Sequence, residues 1–270
     1  MNIIVCIKQV PDTTDIKIDP ATNTLIREGV ESIINPFDMY AIEEAIRTKG
    51  KLGGKVTVVS MGPPQVDTAL REAISLGCDE AVLLTDKAFA GSDTLATSYT
   101  LAVAIKKIGS YDVIFCGKQA ADGDTAQVGP GISAHLDIPQ VTYVKKIEQI
   151  QNAMPAGRHG FARVERMTEE GYEVIETPLP ALFTVVKEIN EPRLPSLRGK
   201  IAAKKAKITT WNAKDLGVDE KHIGLNGSPT QVIKIFTPPP RAAGEIFQGD
   251  TEGVVLKLVE RIKDELKPKF

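Results

Sequence analysis

The sequence predicts an α/β fold in which helices cover both faces of a largely parallel sheet. Three observations carry that expectation. Short apolar runs alternate with helical periods over the first 145 residues or so. These runs are unbroken rather than alternating, as in strands buried on both faces. Three of the helical periods are followed by glycine, the usual helix stop, at Gly53-Gly54, Gly77 and Gly109.

The elements follow in order. Asn2–Ile7 is a β-rich run that starts almost at the first residue. Asn35-Pro36 opens a helix, with Asn at the cap and Pro at the first helical position. Met39, Ile42, Ala45 and Ile46 form its apolar stripe. After the Gly53-Gly54 turn comes a strand at Val56–Met61. Gly62-Pro63-Pro64 then opens a helix whose Val66, Ala69, Leu70, Ala73 and Ile74 face inward until Gly77. Glu80–Thr85 is a third strand. The helix that follows is capped by Ser92 or Asp93, with a stripe of Leu95, Leu101, Ala102, Ile105 and Ile108. Asp112–Cys116 is a fourth strand, followed by a loop rich in Gly and Asp and a helix near Gln127–Leu136.

Beyond Pro139 the pattern changes. Val141–Ile150, Phe161–Met167, Tyr172–Glu176 and Ala181–Lys187 read as antiparallel or edge strands. Asn190-Glu191-Pro192-Arg193-Leu194-Pro195 is a stiff loop. The tail from Trp211 contains Thr237-Pro238-Pro239-Pro240-Arg241, which fits neither helix nor central strand, and a last helix near Thr251–Leu266. The expected organisation is a core over 1–190, a loop and following helix over 191–210, and an extended C-terminal arm over 211–270 that packs on another chain.

Composition narrows the function. The formal net charge of -2 provides no global positive field for nucleic acid or an anionic membrane. No apolar run approaches the ~20 residues of a membrane span, so no membrane insertion is expected. The start lacks a signal-peptide pattern, and the cytoplasm is the expected compartment. Cys6, Cys78 and Cys116 are far apart and odd in number, and read as small buried hydrophobes. His135, His159 and His222 have no spacing suited to a metal or a triad, and no metal site is expected. A P-loop, a dinucleotide glycine motif and a nucleophile elbow are all missing. No side chain is therefore assigned a catalytic role, and any chemistry would be carried by a bound cofactor.

The richest segment runs from Gly117 to Gly131. It leaves a parallel strand and enters a helix N-terminus, where backbone N–H groups cradle phosphate. Its small residues, Gly117, Ala120, Gly123, Ala126 and Gly129, let the backbone approach closely, Thr125 and Gln127 offer polar groups, and Val128 follows at the helix start. Asp122 or Asp124 would cap the helix or accept from a ribose hydroxyl. A plain loop with an acidic cap is the competing reading. Two other strand ends converge there: Cys6, and Met61 with Gly62. Cys6 and Met61 suit an adenine crevice and core filling equally well. In the segment Gly91–Ser98, Asp93 and Thr94 suit capping, whereas Thr97 and Ser98 are placed to meet a phosphate or flavin.

Several segments resemble the beta subunit of electron transfer flavoproteins. They are Asn35-Pro36-Phe37-Asp38 with Glu43-Glu44-Ala45, Val59-Ser60-Met61-Gly62-Pro63, Gly117–Gly129, Ile138-Pro139-Gln140 and Asn190-Glu191-Pro192-Arg193. They cover the chain from end to end in the family's order. Val164-Glu165-Arg166, Glu170-Gly171 and Pro180-Ala181 resemble its signature region. The resemblance implies a fold like that of the adenine-nucleotide alpha hydrolases and a heterodimer with an FAD-bearing alpha subunit. The beta-subunit site, with Asn35 among its residues, would hold structural AMP in the plain type and a second FAD in the bifurcating type. In the latter, NADH is the electron donor, and ferredoxin or flavodoxin and an acyl-CoA dehydrogenase-type flavoprotein are the acceptors. Asp93–Ser98 and Asp124–Gly129 resemble the bifurcating branch, Ala126 and Val128 departing from the AMP-type pattern. By the same resemblance Leu194 and Leu197 lie on the loop that anchors the dehydrogenase. A nucleotide-sensing protein similar to universal stress proteins is the alternative from another class. The antiparallel section and proline-rich tail speak against it.

Overall fold

A computed structural model describes residues 1–12, 32–151, 160–234 and 244–265. His159, the Thr237–Arg241 segment and Leu266 lie outside the described residues. The chain divides into two compact units, Met1–Ile233 and Lys234–Phe270.

The first unit is built on a nine-stranded sheet in the order β11-β5-β4-β1-β6-β10-β7-β8-β9. Its strands are β1 (Asn2–Cys6), β4 (Lys55–Met61), β5 (Glu80–Leu84), β6 (Val113–Gly117), β7 (Gln140–Gln151), β8 (Phe161–Met167), β9 (Tyr172–Pro178), β10 (Ala181–Val185) and β11 (Thr209–Trp211). From β11 to β7 every pairing is parallel, and β7, β8 and β9 are antiparallel. A separate two-stranded ladder joins β2 (Gln9–Pro11) to β3 (Ser32–Ile34).

Helices cover both faces. Residues of α1 (Pro36–Leu52), α2 (Asp67–Leu76) and α5 (Leu197–Lys205) share one apolar cluster with Ile3, Val58, Phe115 and Phe183 of the sheet. Residues of α3 (Thr94–Ile108), α4 (Val128–Leu136) and α6 (Ala213–Leu216) share the other, with Ile4, Val59, Ile114 and Leu182. The alternation of Ile3 with Ile4 and of Phe115 with Ile114 shows why the strands read as unbroken apolar runs. Their successive side chains enter opposite cores. In the second unit α7 (Thr251–Glu265) is the helix described, with an ion pair of 3.2 Å between Arg261 and Glu245.

The structure corrects several sequence expectations. Ala181–Val185 is neither antiparallel nor at an edge. It runs parallel between β6 and β7, with all five residues buried. Its unbroken apolar run is the pattern of such a central strand. β11, which ends at Trp211, extends the sheet beside β5. Leu95, expected in the α3 stripe, is exposed, because the first turn of α3 projects past the sheet-facing residues Leu101 and Ile105. Pro64–Val66 forms a 3-10 turn, and α2 proper starts at Asp67.

Candidate functional site

The chain crosses from one side of the sheet to the other between β1 and β6, which are paired although four strands and three α-helices among the described residues separate them in sequence. Such a switch point opens a crevice at the carboxyl ends of the strands. Cys6, the last residue of β1, is paired with Cys116, one residue before the end of β6, and both are buried. The neighbouring Cys6 sulfur and burial push the Cys116 thiol well above its ordinary value. Burial raises Cys78 to about 12. The Cys116 and Cys78 thiols are therefore packing groups at neutral pH rather than nucleophiles.

The first turn of α1 fixes the loop that leaves β6. Asp38 accepts from the Lys8 amide through Oδ2 at 2.7 Å and from the Gly117 amide through Oδ1 at 3.1 Å. One carboxylate thus ties together the two strand ends that frame the crevice. Burial pushes its carboxyl up to about 7, against the opposing effect of these hydrogen bonds. Gly117 is required here, because a Cβ would lie 2.3 Å from Asp38 Oδ1 and 2.7 Å from the Phe37 carbonyl carbon. Asn35 is buried at the helix start, yet its side chain makes no cap bond. Instead its Nδ2 donates to the Gln119 carbonyl at 2.8 Å, and its Oδ1 accepts from the Ala121 amide at 3.0 Å.

The loop then turns tightly. The Gly123 and Asp124 amides donate to the Ala120 carbonyl at 3.3 and 2.8 Å. Asp124 and Ala126 take left-handed backbone angles, φ 52° and 53°, a conformation that is costly for alanine. Asp122 receives the Lys8 ammonium at 2.7 Å, and Asp124 receives the Gln119 side-chain amide. Thr125 is exposed, and its hydroxyl has no partner among the described residues. Gln127 stands at the N-cap of α4 without a side-chain cap bond, so the amides of Val128 and Gly129 face the loop as uncapped donors. Gly129 and Gly131 set α4 close to its neighbours, for a Cβ would lie 2.6 Å from Thr184 and 2.5 Å from Ser98 Oγ respectively.

A second wall comes from α3. Its Thr94 hydroxyl donates to Gln127 Oε1 at 2.9 Å, joining two segments far apart in sequence. Asp93 caps α3 through the Leu95 and Ala96 amides and also accepts from the Thr230 hydroxyl at 2.8 Å. Thr97 is half-buried, and its hydroxyl has no partner among the described residues. Ser98 does not face a ligand as the sequence suggested: it is buried, and its hydroxyl donates to the Thr94 and Leu95 carbonyls of its own helix. Met61 is half-buried at the end of β4, and the Gly62 amide donates to the Leu84 carbonyl at 3.0 Å.

Leu194 and Leu197 lie away from this crevice and are 88% and 77% exposed. Their loop is held by α1. Glu43 receives Arg193 through its amide at 3.2 Å, Nε at 2.7 Å and Nη2 at 3.1 Å, and receives Arg47 at 2.6 Å. Burial acts to raise Glu43, but these bonds outweigh it and hold the carboxyl below the usual range. Asn190 donates to the Tyr40 carbonyl at 3.0 Å and to Glu44 Oε2 at 3.1 Å. Asp38, Glu43 and Glu44 carry no functional assignment in the sequence reading. The signal for them was that Asp38 and Glu43-Glu44 lie in segments that carry the family resemblance.

The crevice therefore offers uncapped helix amides, small residues and hydroxyls, and no acid–base or metal constellation among the described residues. That donor set fits a nucleotide phosphate. No described helix is long and apolar enough to cross a membrane. The family model described as electron transfer flavoprotein domain matches residues 22–216. An electron transfer flavoprotein subunit beta of Thermoanaerobacterium thermosaccharolyticum is 56% identical over 263 residues, 97% of this chain and 98% of that one. The caffeyl-CoA reductase-Etf complex subunit CarD of Acetobacterium woodii is 49% identical over 266 residues, covering 98% of both chains. Protein FixA of Azorhizobium caulinodans is 49% identical over 247 residues, 90% of this chain and 86% of that one.

Proposed function

The chain belongs to the electron transfer flavoprotein family, as a beta subunit, and on that premise we propose that the crevice holds FAD in an electron-bifurcating complex with an alpha subunit. NADH is the electron donor in this reading. The acceptors are ferredoxin or flavodoxin on one branch and an acyl-CoA dehydrogenase-type flavoprotein on the other. The bound FAD would supply hydride acceptance and one-electron release, chemistry that the protein's side chains lack.

The chain's own residues bind and orient. The Val128 and Gly129 amides at the start of α4 and the Thr125 hydroxyl would take the phosphates. Cys6, Met61 and Gly62 would border the adenine. Asn35 and Asp38 act one step back, by holding the loop backbone in place. Leu194 and Leu197 would anchor the dehydrogenase. The relative named for a caffeyl-CoA reductase-Etf complex supports a partner that acts on a CoA thioester.

The observation that carries the FAD reading is the Thr94–Gln127 hydrogen bond. It sets the first turn of α3 beside the loop that would take the phosphates, which would give the site a wall beyond the adenylate half. A subunit holding structural AMP is the second reading. It is favoured by Asp93, whose carboxylate is already taken up by Leu95, Ala96 and Thr230. A cofactor count on the heterodimer, by absorbance and mass analysis of released nucleotides, decides between them. Two FAD and no AMP is the expected result, and one FAD with AMP would overturn bifurcation while leaving the family intact.

A further inference from the structure

We propose that α1 couples the nucleotide loop to the exposed leucine loop, with Glu43 as the positioning residue that transmits the coupling. This rests on reading residues 117–129 as the nucleotide loop and Leu194 and Leu197 as docking leucines.

Both loops are tied to one helix. At its N-terminus Asn35 brackets Gln119 and Ala121, and Asp38 joins Lys8 to Gly117. Two turns further on, Tyr40, Glu43 and Glu44 hold Asn190 and Arg193. The distance along the axis from Asn35 to Glu43 is about 12 Å at 1.5 Å per residue. A helix with its internal ladder intact carries a displacement over that distance with little loss. The far end is also sensitive to displacement. Arg193 meets Glu43 as a fork, with Nε on Oε2 and Nη2 on Oε1, and fork geometry tolerates little misalignment. Glu43 is shared with Arg47, which can keep it paired when Arg193 departs.

The loop's anchor is also incompletely satisfied. Asn190 Oδ1 is buried without a hydrogen-bond partner among the described residues. An unmet buried acceptor costs stability and so lowers the cost of releasing the docked loop. The docked loop and a released one are the two states that the proposal invokes. A nucleotide that stabilises the backbone around Gln119 and Ala121 fixes the N-terminus of α1 and favours the docked state. Coupling is reciprocal, so a partner seated on Leu194 and Leu197 would tighten nucleotide binding by the same factor.

The test is hydrogen exchange on the complex of this chain with its alpha subunit, stripped of nucleotide and then reloaded with FAD or AMP. Amides in 117–127 and in 193–200 should both slow, the second group by roughly fivefold, the low end of typical coupling. In Glu43→Gln the slowing at 193–200 should disappear while that at 117–127 persists. Arg193→Gln should give the same pattern from the other partner, which guards against a folding defect in the first variant. Slowing at 117–127 alone in the unmodified protein overturns the coupling and leaves the nucleotide loop standing. No slowing at 117–127 overturns the nucleotide reading, and the coupling with it.

Discussion

Replacing Asp38 by Asn should change the pH dependence of stability in a direction set by burial. The carboxyl is pushed up to about 7 in the folded protein, against about 3.9 in an unfolded chain. Between those values the folded state keeps a proton that the unfolded state has released. Stability therefore falls as pH rises through that window and is flat above it. Each pKa unit corresponds to about 1.4 kcal/mol. From pH 5 to pH 8 the loss attributable to Asp38 is then roughly 3 kcal/mol, because only the stretch from 5 to 7 counts. Asn has no proton to release, so its variant lacks this component. It also keeps one acceptor where the carboxylate has two, against the Lys8 and Gly117 amides. Losing one such bond costs about 1.5–3 kcal/mol. The measurement is urea unfolding at pH 5 and pH 8 followed by fluorescence of Trp211, the single tryptophan, which lies in β11 of the same sheet. The gap by which the unmodified protein exceeds the variant should be roughly 3 kcal/mol wider at pH 5. Parallel curves, or a gap that widens toward pH 8, would refute the reasoning.

Three further outcomes follow from the site. Gly117→Ala should destabilise by about 2–4 kcal/mol and abolish nucleotide retention, because the new Cβ meets Asp38 and the Phe37 backbone; a thermal melt and a cofactor assay check both. Thr94→Val should cost less than about 1 kcal/mol of stability, yet lower retained FAD more than retained AMP, as read by mass analysis of released nucleotides. Leu197→Ala should leave stability within about 0.5 kcal/mol, as expected of a residue 77% exposed. The same variant should keep its nucleotide while electron transfer to the dehydrogenase partner weakens, and loss of folding would show instead that Leu197 packs on the core.

The parallel strands and their covering helices were legible because their signals are local: apolar runs such as Ile3–Cys6, and stripes such as Ala69, Leu70 and Ala73. What escaped depends on distance. Asn35 reads as a helix cap, and its local sequence gives no hint of loop carbonyls and amides 84 and 86 residues away. Asp38 appears in the sequence only as part of a family-like segment, and nothing local shows that it bridges two strand ends. Ser98 reads as a ligand hydroxyl, but the approach of Gly131 places it between two helices. β11 was hidden because Thr209-Thr210-Trp211 is too short to show a period and follows a lysine-rich stretch. The crevice itself could be located from strand ends alone, since its position depends on topology rather than on any one side chain.

The two borders of the long sheet bear on the behaviour of this chain when it is unassembled. One border is the three-residue β11, too short to template another strand. The other is β9, which presents Glu173 and Glu176 and ends at Pro178, a residue with no amide to donate. A second copy approaching β11 finds too few free backbone groups, whereas at β9 the two glutamates point to opposite faces and Glu173 is already paired with Arg166 at 3.6 Å. The sheet is therefore closed to further strands on one side only, and the seven-residue β9, with exposed Tyr172 and Val174, is the side along which an unassembled subunit is open to strand addition.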